Sequence, residues 1–536
     1  MTTLLFKGTA VKLDAWLRKG LSIVRWKHTH EASRTSHTLQ EPDVQEKPEV
    51  CFERQLGDTE LSYYLPSRGD GVNDMYLRLG CRIEPSFVQR NRVCLVWAIL
   101  RLCHPLLASR VRMYDYHDVR FGYALPHDSK AALSSADENL EYRLQSGDDL
   151  VDSYLNGPRT LSDERLSYLV VNVSNSTPTS SDTVDCDFLI CATHFLGDGM
   201  ALHQFANDFF TLLGGEKTLA DLSTMLENEI SSRRTAMKYL PKAVEDRLPP
   251  APGGPLHRAA RQVDFHRSQE KNIGGQVFPK QSGYSRKTVV RNEAFDPERT
   301  KAILKKCKTH GVSVSSALFA ACNLAWVRTC NKSPDLPTMM YSALNVRPKL
   351  TSEPSLHDSY WFLAIGYFNV ILPSFFPASG DLAPTFWHRS REAKKQSTAA
   401  MKTPMLVSRC RQMARERSER AQVWARQDDG KPVKQTQKAV SLFDRASSER
   451  PPSQVLIGLS LLGNLDATYK HATYPGIQLH TLTTGSRQRS GGMLMFGYTF
   501  AGKLWISLGY DENGFDKALV ETFWKNVLQV VDEFMA

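Results

Sequence analysis

No two of the ten cysteines are spaced as a CxxC pair. Cys307 and His310 lie close together, but no second pair follows at zinc spacing, so no metal site is predicted. Scattered thiols of this kind fit a reducing compartment. Long hydrophobic runs are also missing. The most apolar stretch, Tyr360 to Phe376, carries Asn369 and Pro373 and falls short of a membrane span, so it reads as a buried strand. Met1 to His30 is mildly basic and interrupted by Asp14 and Trp16, without an apolar segment and cleavage site. A secretory leader is therefore not expected. The sequons at Asn172, Asn175 and Asn331 carry no weight without one. The closing Glu-Phe-Met-Ala differs from a peroxisomal tripeptide. The expected location is cytoplasmic, with the peroxisome as the alternative.

What remains is ordinary globular usage: 41% hydrophobic and 23% charged over 536 residues. That length suits two or three units and a core needing no disulfide or metal. The net charge of +10 is concentrated. Between Thr385 and Arg450, sixteen basic residues face seven acidic ones, a surplus of nine. Arg409, Arg411, Arg415, Arg417, Arg420 and Arg426 crowd one helix-like stretch there. It reads either as a solvated helix face or as a surface attracting the phosphates of a nucleotide-bearing co-substrate. Nucleic acid ranks below both, because no nucleic-acid motif accompanies the charge.

Patterning divides the chain. Residues 1–50 form a weakly patterned extension with some helix around Val11 to Val24. Residues 51–215 carry an apolar helix at Val93 to Leu107 and β-rich runs at Leu166 to Val173 and Asp187 to His194. The polar segment joining those runs predicts an adjacent antiparallel pair. A helix follows Gly199, with Leu202, Phe205, Phe209 and Leu212 on one face and Gly214-Gly215 at its end. Residues 216–291 are charged and Pro/Gly-rich and read as a crossover linker. Residues 292–536 begin with helices at Pro297 to His310 and Ser315 to Thr329. Strands are expected at Thr338–Ala343, Leu363–Pro373, Ser453–Leu461, Met493–Phe500 and Lys503–Leu508, and a helix at Glu521–Phe534. A basic helical insertion occupies about 385–450. The predicted class is α+β: two lobes, each a mostly antiparallel sheet with flanking helices, around a cleft.

One corner combines a base, a turn and a carboxylate. Cys191-Ala-Thr-His-Phe-Leu-Gly-Asp-Gly-Met200 places His194 at the end of a strand and a helix start just beyond. Neutral imidazole suits removal of a hydroxyl or amine proton near neutral pH. Gly197 and Gly199 are expected to let the chain turn sharply. Asp198 can cap the helix or form an ion pair that braces the loop. Taken alone, a histidine before an Asp-Gly turn is more often a structural residue than a base.

His194, Asp198 and Gly199 match an HxxxDG motif, and the chain resembles the superfamily of CoA-dependent acyltransferases that includes BAHD enzymes, peptide-synthetase condensation domains and chloramphenicol acetyltransferase. Other segments follow in order. Arg54, Leu56, Gly57 and Glu60 resemble an R-x-L-G-x-x-E opening, and His104-Pro105-Leu106-Leu107 an H-P-x-L helix end. Gly311 to Ala321 is similar to the helix that opens the second half, and Asn345-Val346-Arg347-Pro348 to an N-x-R-P strand end. Ser460 and Gly463 keep part of an S-N-x-G motif, with Leu461 in place of Asn. The resemblance spans about Cys51 to Phe534. Thr193 replaces the first of two successive histidines usual in condensation domains, and DFGWG is absent. Both departures point towards a fungal branch similar to trichothecene O-acetyltransferases and glycolipid acyltransferases.

The resemblance implies two chloramphenicol-acetyltransferase-like lobes around a central solvent tunnel. It implies His194 as general base and Asp198 as a structural ion-pair partner, with Gly199 beside it and Arg347 the candidate counter-ion. Asn345 and Ser460 are candidate oxyanion or substrate contacts, and His203 is expected outside the site. Acyl-CoA would be a co-substrate, with no bound cofactor, no metal and no nucleic acid. The acceptor would be a hydroxyl of a secondary metabolite or glycolipid, handled by a monomer. The alternatives are a condensation-like N-acyltransferase and a catalytically silent binding protein of the same fold.

Overall fold

In the computed structural model, the described residues are 50–173, 183–251, 253–330, 334–351, 359–376, 380–432 and 453–536. The expected N-terminal extension, the sequons at Asn175 and Asn331 and the end of the basic segment lie outside them.

The first half is built on a five-stranded sheet, ordered Ile477–Ser486, Met75–Ile83, Val184–Ala192, Ser167–Val173 and Leu140–Arg143. Its pairs are antiparallel except the last. Ser167–Val173 and Val184–Ala192 pair as expected from their joining segment. The second half holds six strands, ordered Ile365–Leu372, Thr338–Asn345, Ile457–Asn464, Met493–Phe500, Lys503–Asp511 and Thr288–Phe295. Ile457–Asn464 runs parallel to both neighbours, and the other pairs are antiparallel. A small antiparallel sheet joins Cys51–Gln55, Val119–Ala124 and Arg110–Met113. The class is α+β with two sheet-and-helix halves, as expected.

Helix boundaries follow local chemistry. Asp198, Asp296, Ser313 and Asp516 each accept a backbone N–H in the first turn of the helix they precede. Pro297 stands where its missing N–H costs nothing. Val314–Thr329 is buried along both faces, from Ser316 through Val327, so it shows no amphipathic stripe. Gly199–Leu213 is apolar on the face that packs Phe205, Phe209 and Phe210 into the first core. Burying each such aromatic contributes about 2–3 kcal/mol. Phe496, Tyr498 and Trp505 reach from the second sheet into that same core. The two halves therefore share packed side chains.

Two boundaries differ from the sequence reading. Residues 216–291 are not an open linker but contain helices at Leu219–Ala236, Val244–Arg247 and Pro255–Glu270. In the first, Leu222, Leu226 and Ile230 are buried at helical spacing, Asp221 and Glu227 are exposed, and the buried Arg233 is paired with Glu229. The second half also does not keep all its strands. Ile477–Ser486 crosses over to pair with Met75–Ile83 and buries Leu479 and Leu482 in the first core. Gly214, which ends the helix after the HxxxDG segment, permits that approach. A Cβ there would lie 2.6 Å from the Ile477 side chain.

Candidate active site

His194 opens a single 3-10 turn, His194–Leu196, immediately after Val184–Ala192. Phe195 and Leu196 are fully buried and pin the turn to the core. The imidazole Nδ1 lies 3.1 Å from the carbonyl oxygen of Gly197. A carbonyl only accepts, so Nδ1 carries the proton and Nε2 keeps its lone pair. Nε2 has no hydrogen-bond partner among the described residues, and His194 lines a cavity of about 890 Å³. Burial holds the histidine pKa below its ordinary value, against the opposing pull of Asp198. The ring is thus neutral at neutral pH.

Asp198 is 4% exposed and fully engaged. One oxygen accepts from the Ala201 N–H at 3.1 Å, capping the helix. The other accepts from Arg347 Nη2 and from the Ala364 N–H, both at 2.9 Å. Arg347 also donates to the carbonyls of Tyr360 and Phe362 at 2.9 and 2.7 Å, and stacks on the Phe362 ring. Both sequence readings of Asp198 hold at once: it caps the helix and forms the ion pair. The pair ties the first half's His194 loop to Arg347 and Ala364 of the second half. The imidazole's hydrogen bond goes to the Gly197 carbonyl and not to this carboxylate.

The glycines work differently from expectation. Gly197 has φ of −172°, extended backbone open to any residue, and Gly199 is not among the positive-φ glycines. Space is the restraint. A Cβ on Gly197 would lie 3.2 Å from the Trp361 indole nitrogen, and one on Gly199 3.3 Å from Leu462.

His194, Asp198, Gly199, Asn345 and Ser460 all border the same cavity. Arg347 stands behind it, on Asp198. Asn345 uses its side-chain oxygen to accept the Arg347 N–H at 3.0 Å, which leaves its amide N–H groups as donors. Ser460 sits on Ile457–Asn464, just before that strand's register shifts between Leu461 and Gly463. His203 is buried elsewhere, against the Tyr469 hydroxyl, as expected. No group of three or more metal-ligating side chains occurs among the described residues, and no single helix among them is long and apolar enough to cross a membrane.

Sequence reasoning missed two cavity residues, Tyr63 and Tyr367, and did not single out a third, Arg417, from its neighbouring arginines. Tyr63, on helix Asp58–Ser67, lies 4.5 Å from the His194 ring, centre to centre. Its hydroxyl bonds that of Tyr367. Burial, with Tyr367 beside it, pushes the Tyr63 phenol well up, so it stays protonated. Arg417 lies over both rings, 5.4 Å from Tyr63 and 4.5 Å from Tyr367. In the sequence, Tyr63 stands three residues after Glu60 of the R-x-L-G-x-x-E segment, and the two share helix Asp58–Ser67.

The basic segment resolves residue by residue. Arg409 pairs with Asp264, and Arg415 with Glu419. Arg411 donates to the Leu248 and Pro249 carbonyls, and Arg426 lies over Tyr116. Arg417 and Arg420 face the cavity. One helix, Leu406–Asp428, therefore mixes structural ion pairs with a cavity wall.

No protein-family model matches the chain, and no curated protein does. Solved structures do. The chain is similar to TRI3 trichothecene 15-O-acetyltransferase from Fusarium sporotrichioides, with a TM-score of 0.70 at 14% identity over 91% of this chain and 96% of that one. The condensation domain from the Monacolin K polyketide synthase MokA gives 0.53 at 10% identity, covering 91% and 97%. The epimerization domain from the third module of tyrocidine synthetase B gives 0.52 at 13%, covering 90% and 98%. The chain shares its fold with this acetyltransferase and with condensation and epimerization domains. At these identities the likeness is one of fold, and chemistry has to be argued from the residues. In this fold, the His194 corner sits where side chains of both halves meet.

Proposed function

We propose that the protein is an acyl-CoA-dependent O-acyltransferase with His194 as its general base. The observation that carries this reading is the Nδ1–Gly197 hydrogen bond, which leaves the Nε2 lone pair in the shared cavity. Nε2 takes the proton of an acceptor hydroxyl as its oxygen attacks the thioester carbonyl. The C–O bond forms, the carbonyl oxygen becomes an oxyanion, and the C–S bond breaks as the oxyanion collapses. The imidazolium then returns its proton to the leaving thiolate. Asn345 and Ser460, which border the cavity, would donate to the oxyanion. Asp198 and Arg347 act through position: they lock the loop that aims the imidazole.

The acyl-transfer reading also draws on the fold shared with an O-acetyltransferase. The acceptor class is a hydroxyl-bearing small molecule, such as a secondary metabolite or glycolipid. The test is release of free thiol from a set of acyl-CoAs by the purified protein, with hydroxyl and amine acceptors in parallel. Acylated hydroxyl products support the reading. Amine products alone would move it to N-acyl transfer, and no thiol release with any pair would defeat it.

A further inference from the structure

Three arginines on the cavity wall lack the carboxylates that cations usually find. Arg417 and Arg420 come from helix Leu406–Asp428, and Arg489 from the segment after strand Ile477–Ser486. None forms an ion pair with a described residue, unlike Arg409 and Arg415 on the same helix. The two acidic residues on this wall are Asp198, already bonded to Arg347, and Asp428. Arg420 and Arg489 both lie over the Trp424 ring, each at 5.6 Å. They are close enough that burial, then Arg417 with Arg489 beside it, lowers the Arg420 pKa, while Glu416 offsets part of the effect. Gathering like charges in a partly desolvated cavity is unfavourable until an anion joins them. Guanidinium groups suit that role through their forked donors.

We propose that Arg417, Arg420 and Arg489 form an anion subsite that holds a carboxylate or phosphate of the acyl acceptor, a few bonds from the hydroxyl presented to His194. This inference rests on the acyl-transfer reading of the same cavity. Distance assigns the anion to the acceptor. The Arg417 guanidinium carbon is 5.4 Å from the centre of the Tyr63 ring, and that centre is 4.5 Å from the imidazole centre, so cation and base are at most about 10 Å apart. In an acyl-CoA, the whole pantetheine arm separates the thioester from the nearest phosphate. A hydroxy acid or hydroxyalkyl phosphate spans the gap with a short chain.

The test is calorimetric titration of the full-length His194→Ala protein, which binds without turnover. The probes are 6-hydroxyhexanoate and its methyl ester. The acid is expected to bind at least about tenfold more tightly, the scale of one charge-assisted hydrogen bond. Arg417→Gln and, separately, Arg489→Gln are expected to remove most of that preference. Arg489 lies outside the helix, so its variant reports even where Arg417→Gln fails to fold. Equal affinity for acid and ester, or a preference that survives both substitutions, would overturn the subsite. Titration with CoA and with pantetheine separates the sources: if the substitutions weaken only CoA, the anion belongs to the donor and the proposal is wrong. Binding of the acid by a wild-type protein that releases no thiol would sink the transfer reading while leaving the subsite standing.

Discussion

Replacing Asp198 with asparagine isolates the charge of the brace from its shape. In the wild type, three N–H donors converge on the carboxylate, from Ala201, Ala364 and Arg347. Asparagine supplies one oxygen and one NH2 group. With its oxygen towards Arg347 and Ala364, the NH2 faces the Ala201 donor; flipped, it faces the other two. Either way donor meets donor. Arg347 loses its counter-ion with its side chain only 21% exposed, although the Tyr360 and Phe362 carbonyls remain. Removing one partner of a buried pair costs about 3–5 kcal/mol, and the retained carbonyls put this case at about 3 kcal/mol. An ordered unit of nearly five hundred residues unfolds with an entropy of about 1 kcal/mol/K, so the melting temperature should fall by only about 3 °C. The urea midpoint is therefore the better assay. Acyl transfer should fall at least about tenfold, because the loop that aims His194 loses its tie to the second half. An unchanged urea midpoint would refute the brace.

Other consequences follow from the same geometry. Arg347→Met should destabilise to a similar degree, and the Asp198→Asn/Arg347→Met double variant by less than the sum, since the two residues share one interaction; additive urea midpoints would contradict this. Arg54→Met should cost about 3–5 kcal/mol, because Glu60 is fully buried and receives both Arg54 donors at 2.8 Å; denaturant titration checks it. Burial lowers the pKa of His104 and of His203 from 6.5 to about 3, so both are neutral in the fold. The unfolded chain takes up those protons first. Stability is complete above about pH 6.5 and declines as pH falls towards 3, by about 2 kcal/mol per histidine at pH 5. His203→Gln should flatten that slope, and an identical slope would remove His203 from the account. The lowered pKa of His194 predicts that kcat/KM holds steady through neutral pH and falls on the acid side, below the ordinary histidine value.

Where local chemistry decides, the sequence was a good guide. Strand Met493–Phe500 has the expected ends, and the helix Pro297–Thr309 differs by one residue. The His194–Asp198 corner was visible because its parts are consecutive. What lay hidden were choices of partner. Nothing in Ile477–Ser486 says that it belongs to the first sheet; Met75–Ile83 claims it from almost four hundred residues away. Met75–Ile83 itself contains Arg78 and Arg82 and so lacks a clean strand pattern, yet Arg78 is matched by Asp187 on the neighbouring strand. Arg417 was indistinguishable from the arginines around it until helix Leu406–Asp428 packed against Tyr63 and Tyr367. The turn glycines could be located, but their reason, proximity to Trp361 and Leu462, is a tertiary fact.

The central claim is that Nε2 of His194 takes the acceptor's proton. Single-turnover formation of acylated product by wild type and His194→Ala, at equal urea midpoints, tests it most directly. The account predicts a loss of about a hundredfold or more in the variant, the usual contribution of a positioned base. Full product formation by a folded His194→Ala protein would contradict it.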